Sequence, residues 1–328
     1  MSTKEISHLA LTHTDLLNER YGGQAILCND DFFAEMGNLV KTTEPVFIDD
    51  KYTDRGKWMD GWESRRRRSE GYDWCVLRLG ISGKIKAVDI NTTHFTGNAP
   101  KSVEIEACFC LEDPDDTTEW KTLLLKTDVD ADSHNFFSIE NETVWTHLRL
   151  KIFPDGGVAR LRAYGEGQLN KDRLLPNELV DLAACVNGGR AIACSDMFYS
   201  PMNNLLAPNR AINMGGGWET KRRRGKGHDW VVIKLACPGK IARVVVDTAH
   251  FKGNYPDRFT LEAIHSNNDD PSQDKDWKLL ISETKLFSSR DHIFQNEIQA
   301  NKELFTHVRL NIFPDGGVSR LRIWGYPS

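Results

Sequence analysis

Near its C-terminal end the chain alternates strictly. Val308, Leu310 and Ile312 are interleaved with His307, Arg309 and Asn311, and Leu321 and Ile323 with Arg320 and Arg322. Period two puts successive side chains on opposite faces of a strand, so each run predicts a strand with one apolar and one polar face. Between them lies Pro314-Asp315-Gly316-Gly317, all residue types that favour turns, and the whole predicts a β-hairpin. The same device occurs earlier, with Arg149 before Pro154-Asp155-Gly156-Gly157 and Arg160 and Arg162 after it. Short β-branched runs at residues 74–79, 85–90, 230–235 and 241–246 predict further strands, separated by turns at Gly83-Lys84 and Gly239-Lys240. Residues 103–110, 120–125, 259–265 and 277–281 read the same way. Only residues 15–18 and 181–184 suggest short helical turns. Many short strands and few helices predict an all-β protein, with each half a jelly-roll β-sandwich of about eight strands.

The halves are copies. Gly61-Trp62-Glu63-Ser64-Arg65-Arg66-Arg67-Arg68, then Gly71-Tyr72-Asp73-Trp74, returns as Gly217-Trp218-Glu219-Thr220-Lys221-Arg222-Arg223-Arg224, then Gly227-His228-Asp229-Trp230. The offset is 156, and it holds without a gap to Glu106-Ala107 and Glu262-Ala263. Before that stretch the offset is 166, so the first copy carries about ten extra residues in the preceding loop. A period this long marks a duplicated domain and not a solenoid repeat. The expected organisation is an N-terminal segment over 1–20, a first repeat over 21–165, a polar linker over 166–180 and a second repeat over 181–328.

Composition narrows the function classes. The 328 residues are 40% hydrophobic with a net charge of −5, which disfavours a dedicated nucleic-acid binder. Seven cysteines without a Cys-x-x-Cys argue for reduced thiols in place of a disulfide framework or structural zinc site. The first residues lack the apolar core of a signal peptide, and no apolar run approaches the ~20 residues of a membrane span. A cytoplasmic, soluble protein with no nucleic-acid or membrane partner is expected.

Several duplicated polar residues are candidates for chemistry. The hairpin arginines Arg160 and Arg162, and Arg320 and Arg322, are expected to share a polar face with Arg149 or Arg309. Such a face needs anions, either acidic neighbours such as Glu262 or a bound carboxylate gripped bidentately. In the arginine tetrads, alternate residues of an extended chain face opposite ways, so two can pair inside while Arg66 and Arg68, or Arg222 and Arg224, meet solvent or substrate. Glu63 and Glu219 sit beside tryptophan and arginine; burial raises a carboxyl pKa and guanidinium charge lowers it, and the sequence leaves the balance open. His94 and His250, each followed by a Gly-Asn turn containing Asn98 or Asn254, are proton-transfer candidates or plain packing residues. No His-x-x-x-His, phosphate loop or Gly-x-Ser-x-Gly elbow is present. No cofactor is predicted, and a divalent metal assembled from distant residues stays open.

The composite motifs, Gly-Trp-Glu-Thr-Lys-Arg-Arg-Arg with Gly-His-Asp-Trp, the run from Asp247 to Asn254, and Phe313-Pro314-Asp315-Gly316-Gly317-Val318-Ser319-Arg320-Leu321-Arg322, resemble the allantoicase family. The resemblance covers both copies, from about residue 20 to 325. The first copy departs at Asp60, Ser64 and Tyr72, where the second has Gly216, Thr220 and His228. The resemblance implies two galactose-binding-like jelly rolls and a urea-releasing hydrolase. It would convert allantoate and water to ureidoglycolate and urea in purine (allantoin) catabolism, for use of purine nitrogen. Fitting that chemistry to the residues, Glu63, His94, Glu219 and His250 are candidates for proton transfer. Arg66, Arg68, Arg160, Arg162, Arg222, Arg224, Arg320 and Arg322 are candidates for a carboxylate clamp, and Asn98, Asp155, Asn254 and Asp315 for the ureido groups. One rival is a non-catalytic tandem module binding an anionic small molecule or carbohydrate, with Trp62 and Trp218 as stacking platforms. Another is an ammonia-releasing enzyme of the same pathway, whose usual metal-ligand clusters are not visible here. Paired domains of this kind also suggest a closed homo-oligomer.

Overall fold

The computed structural model describes residues 9–300 and 302–328. The first part of the expected N-terminal segment, residues 1–8, lies outside that range. The chain divides into two compact units, one holding Asp15–Glu166 and the other Leu11–Thr14 with Gly167–Ser328. The polar stretch after Glu166 contains a 3-10 turn at Lys171–Arg173, and Val180 already pairs with Gly325 of the second unit. Among the described residues no helix is long and apolar enough to cross a membrane, and all seven cysteines are free thiols.

Each unit is a jelly roll wound around one 19-residue strand, Asp73–Asn91 in the first and Asp229–Asp247 in the second. This corrects the expected turns at Gly83-Lys84 and Gly239-Lys240, because the strand runs straight through them and changes partners there. Asp229 to Lys234 pairs with strand Phe305–Phe313, whereas Gly239 to Asp247 pairs with strand Arg320–Pro327. These glycines serve close approach, not reversal: a β-carbon on Gly83 would stand 2.1 Å from the Glu166 carbonyl oxygen. Strand Arg258–Ile264 then pairs with Phe305–Phe313 and carries Lys278–Lys285 on its other side.

The expected hairpin is corrected for the same reason. Phe305–Phe313 and Arg320–Pro327 do not pair with each other; both pair with the long strand, along different halves of its length. Alternation fixes which face is buried but says nothing of which strand lies alongside. The predicted apolar faces do fill the core, with Val308, Leu310, Ile312, Leu321 and Ile323 wholly buried. The helical turns also shift. Asp15 accepts backbone N–H bonds from Leu17 and Ala163, which ties it into strand Thr14–Asp15, and the 3-10 turns form later, at Glu19–Tyr21 and Cys185–Asn187.

The arginines expected on one polar face are thereby separated. Arg149 and Arg309 pair with Glu106 and Glu262 across strands, Nε to Oε2 at 2.6 and 2.7 Å, so acidic compensation accounts for them. Arg160 is 1% exposed. Its guanidinium donates to Thr43 O at 2.9 Å, Asp60 O at 2.9 Å, Ala159 O at 2.8 Å and Asp60 Oδ2 at 2.7 Å. Burial pushes the Asp60 carboxyl up, but the Arg160 hydrogen bond and its companions hold it below the usual carboxylate range. Arg320 does the same in the second copy. It donates to Asn209 O, Gly216 O and Ser319 O at 2.6 Å each, and to Asn209 Oδ1, which stands in where Gly216 replaces Asp60. Arg162 reaches Lys41 O and Arg322 reaches Pro208 O, while their Nε atoms lie 3.7 Å from Asp15 and Asp181. These four arginines strap the loop before each Gly-Trp-Glu onto the sheet.

Removing one partner of a buried, hydrogen-bonded ion pair strands the other charge, at about 3–5 kcal/mol. Arg160→Met is therefore expected to lower the unfolding free energy by roughly that amount; a denaturant titration showing a loss under about 1 kcal/mol would contradict the strap. A second expectation concerns acid. Burial, aided by the Lys234 charge, pushes His307 down to about 4. The folded state thus favours the neutral ring while the unfolded chain protonates near 6.5. Stability from this group is complete above pH 6.5 and is lost as pH falls toward 4. His307→Gln should flatten that acid limb of the denaturation midpoint, and an unchanged limb would reject the assignment.

Candidate active site

Glu63 and Glu219 are held by the polypeptide rather than by charge. Trp218–Glu219 forms a two-residue ladder with Gly317–Val318, and Trp62–Glu63 does so with Gly157–Val158. The tryptophans beside them are wholly buried, and each indole N–H donates at 2.8 Å to a carbonyl, Asp30 in the first copy and Asp196 in the second. They are anchors, which removes the stacking platform of the binding-module reading. The glycine in each ladder is required. A β-carbon on Gly317 would meet the Phe251 ring at 1.8 Å, and one on Gly157 the Phe95 ring at 2.0 Å. Gly156 and Gly316 precede them at φ 134°, in the left-handed region that glycine tolerates best.

The histidines lie on the same framework. His94 and His250 both have φ 71°, which turns the following phenylalanine into the core. Each ring binds a loop carbonyl through Nε2, Pro45 O at 3.2 Å and Ala211 O at 2.8 Å. The chain then reaches Asn98 or Asn254, whose carbonyl accepts the N–H of Gly157 or Gly317 at 2.8 Å. The amide side chain points the other way and donates to the glutamate, Asn98 Nδ2 to Glu63 Oε1 at 2.7 Å and Asn254 Nδ2 to Glu219 Oε1 at 2.5 Å. Desolvation by burial raises the Glu63 pKa, opposed by the Asn98 hydrogen bond.

In each tetrad alternate residues find acids, but only Arg67 and Arg223 are partly buried, while Arg65 and Lys221 stay exposed although paired. Arg65 pairs with Asp30 and Arg67 with Asp73; Lys221 pairs with Asp196 and Arg223 with Asp229. The backbone N–H of Arg67 and of Arg223 donates at 2.8 Å to Asp155 and Asp315, so those aspartates pin the tetrad. Arg66, Arg68, Arg222 and Arg224 are exposed and have no hydrogen-bond or ion-pair partner among the described residues. Tyr72 and His228 pack against Phe153 and Phe313 at equivalent places.

A cavity adjoins each glutamate. The one in the second copy has a volume of 660 Å³ and brings together Glu219, Arg222, Asn254 and Asp315, with Tyr199 and Asp257 on its wall. That volume lies within the usual range for small-molecule sites. Arg224 faces an adjoining recess shared with Arg222. In the first copy a 370 Å³ cavity gathers Glu63, His94, Asn98 and Lys57, with Phe47 and Met59. His250 does not line the larger cavity, and Arg160 and Arg320 offer no free face to either. Sequence reasoning missed Lys57, Tyr199, Tyr255 and Asp257. The signal for Lys57 was its place in the extra loop, and for Tyr255 its position beside Asn254. Among the described residues no group of three or more His, Cys, Asp or Glu converges as a metal-ligand set.

Comparison with known proteins agrees with the duplicated architecture. The family model described as "Allantoicase repeat" matches residues 14–168 and 180–328. The protein named "Probable allantoicase" from Photobacterium profundum is 49% identical over 323 residues, covering 96% of this chain and 97% of the relative. A protein of the same name from Pseudomonas aeruginosa is 49% identical, covering 96% of each. The crystal structure of allantoicase from Saccharomyces cerevisiae superposes with a TM-score of 0.82 at 33% identity and 99% coverage of both chains. With two family repeats spanning nearly its whole length, the chain belongs to the allantoicase family.

Proposed function

We propose that this hydrolase converts allantoate and water to ureidoglycolate and urea, in the use of purines as a nitrogen source. The observation that carries the reading, beside family membership, is the cavity in which Glu219, its amide partner Asn254 and the unpaired Arg222 meet. Allantoate presents one carboxylate and one sp³ carbon bearing two ureido groups. A guanidinium with no protein partner suits the carboxylate, since it can bind bidentately without first breaking an ion pair. Of the tetrad and hairpin arginines considered for the clamp, Arg222 suits it best, because the hairpin arginines are committed to the loops they hold. The Asn254 amide and Asp257 supply a donor and an acceptor for ureido edges.

Protonation of the departing ureido nitrogen, assisted by the lone pair of the other ureido nitrogen, expels urea and leaves an imine. Water adds to that carbon and loses a proton. A glutamic acid serves the first step and its carboxylate the second. Partial burial suits this, because a carboxyl pKa raised toward the working pH balances the two roles, as Glu63 illustrates. The histidines, committed through Nε2 to loop carbonyls, act in this reading as positioning residues for the loops. A cytoplasmic location and a closed homo-oligomer belong to the same proposal.

Purified protein given allantoate should release urea and ureidoglycolate in equal amounts. Running the assay with and without a chelator tests for a required metal. Replacing both glutamates, Glu63→Gln with Glu219→Gln, should lower turnover by about 10²–10⁴-fold in a protein that still folds. Near-wild-type turnover in that variant would remove the acid–base assignment, and allantoate left untouched by the wild type would remove the hydrolase reading.

A further inference from the structure

We propose that both repeats turn the substrate over and that they hold its carboxylate with different cations, Arg222 in the second repeat and Lys57, carried by the extra loop, in the first. The inference rests on the hydrolase reading above. It starts from what the duplication keeps. The amide-to-glutamate hydrogen bond, the histidine bound to a loop carbonyl and the aspartate holding an arginine N–H recur between the same partners in both copies. The glutamate and asparagine of each set line a cavity able to hold a small molecule.

The cation is what the copies do not share. Arg66 occupies the position of Arg222 by the 156 offset, yet it does not line the first cavity. Lys57 does line it, from the short hairpin Tyr52–Thr53 with Gly56–Lys57, which lies within the first copy's longer loop. Met59 seats that loop in a small apolar cluster with Phe95, Ala34 and Ala159, on the same phenylalanine that positions the site. The Lys57 ammonium binds Asp49 O at 2.8 Å and Asp49 Oδ1 at 3.3 Å, and the Asp49 side chain is 86% exposed. A surface pair of this kind is held weakly, so a substrate carboxylate can take the place of Asp49 at little cost. The ammonium also lies 4.6 Å above the Phe47 ring, which walls the same cavity beside His94. Burial of Glu63 favours its protonated, acid form, consistent with a working site there.

The wall residues differ in the same sense. Tyr199, Tyr255 and Asp257 of the second cavity correspond in the duplication to Phe33, Ala99 and Lys101. The second site therefore offers more hydrogen-bonding partners to ureido groups. The first relies on a point charge and apolar walls, and a lysine imposes less geometry on a carboxylate than an arginine fork.

The test is steady-state urea release from allantoate by the full chain as wild type, Glu63→Gln, Glu219→Gln and the double variant. Each single variant is expected to keep roughly a tenth or more of the wild-type kcat, while the double variant loses about 100-fold or more. In the Glu219→Gln background, Lys57→Ala should raise KM about tenfold, the effect of losing roughly 1.4 kcal/mol of binding, and Lys57→Arg should restore it. Arg222→Ala should raise KM to a similar extent in the Glu63→Gln background. The proposal is overturned if either single glutamate variant falls to the level of the double, or if Lys57→Ala leaves the KM of the Glu219→Gln protein unchanged while solubility and circular dichroism match the parent. A wild type that releases no urea would instead overturn the hydrolase reading, a result distinct from both.

Discussion

The site in each repeat depends on one contact that leaves no room for a β-carbon. Phe95 and Phe251 lie tight against Gly157 and Gly317, wholly buried, and this steric lock draws two distant parts of the chain together. On one side the glycine opens a two-residue ladder that carries the glutamate. On the other, the phenylalanine follows a left-handed histidine and leads into the turn that presents the asparagine. The hydrogen bond from asparagine to glutamate is a consequence of that packing. Close-packed interiors transmit such constraints because side chains have no slack to absorb a displacement.

Arginine serves three separate purposes here, and burial distinguishes them. Arg160 and Arg320 are sealed under the loops they hold, with guanidinium N–H groups spent on carbonyls. Arg149 and Arg309 neutralise a glutamate across strands and lie over Trp120 and Trp277, 4.5 Å from each ring centroid. Arg222 has no partner among the described residues and lies at the edge of a cavity. Only the last arrangement has binding capacity to spare, since a guanidinium already saturated by protein acceptors must break those bonds before it can hold a ligand.

The duplication kept the framework and varied the approach to it. Both copies place glutamate, asparagine, histidine and aspartate alike, because these residues sit on the ladder and turns that the phenylalanine contact fixes. The loop before Gly-Trp-Glu is tied down by its arginine strap, by the histidine bound to one of its carbonyls, by an asparagine side chain and by a few apolar contacts. It can change length without disturbing the strands, and that is where the copies part company, with a lysine in one and a shorter crossing in the other.

The all-β class, the two repeats and the buried faces were legible in the residues alone, because period-two alternation and a long gapless offset are local and need no knowledge of neighbours. Alternation along each tetrad also allowed two of its cations to pair with acids and two to meet solvent, and the pairs with Asp30, Asp73, Asp196 and Asp229 are of that kind. Which strand pairs with which emerged only from the folded chain. Phe305–Phe313 and Arg320–Pro327, contiguous in sequence and patterned like a hairpin, lie along different halves of one 19-residue strand that serves both. For the same reason the hairpin arginines became straps instead of a clamp. The place of Lys57 in the wall of the cavity that Glu63 lines was likewise beyond the sequence, because it depends on how a loop without periodicity folds.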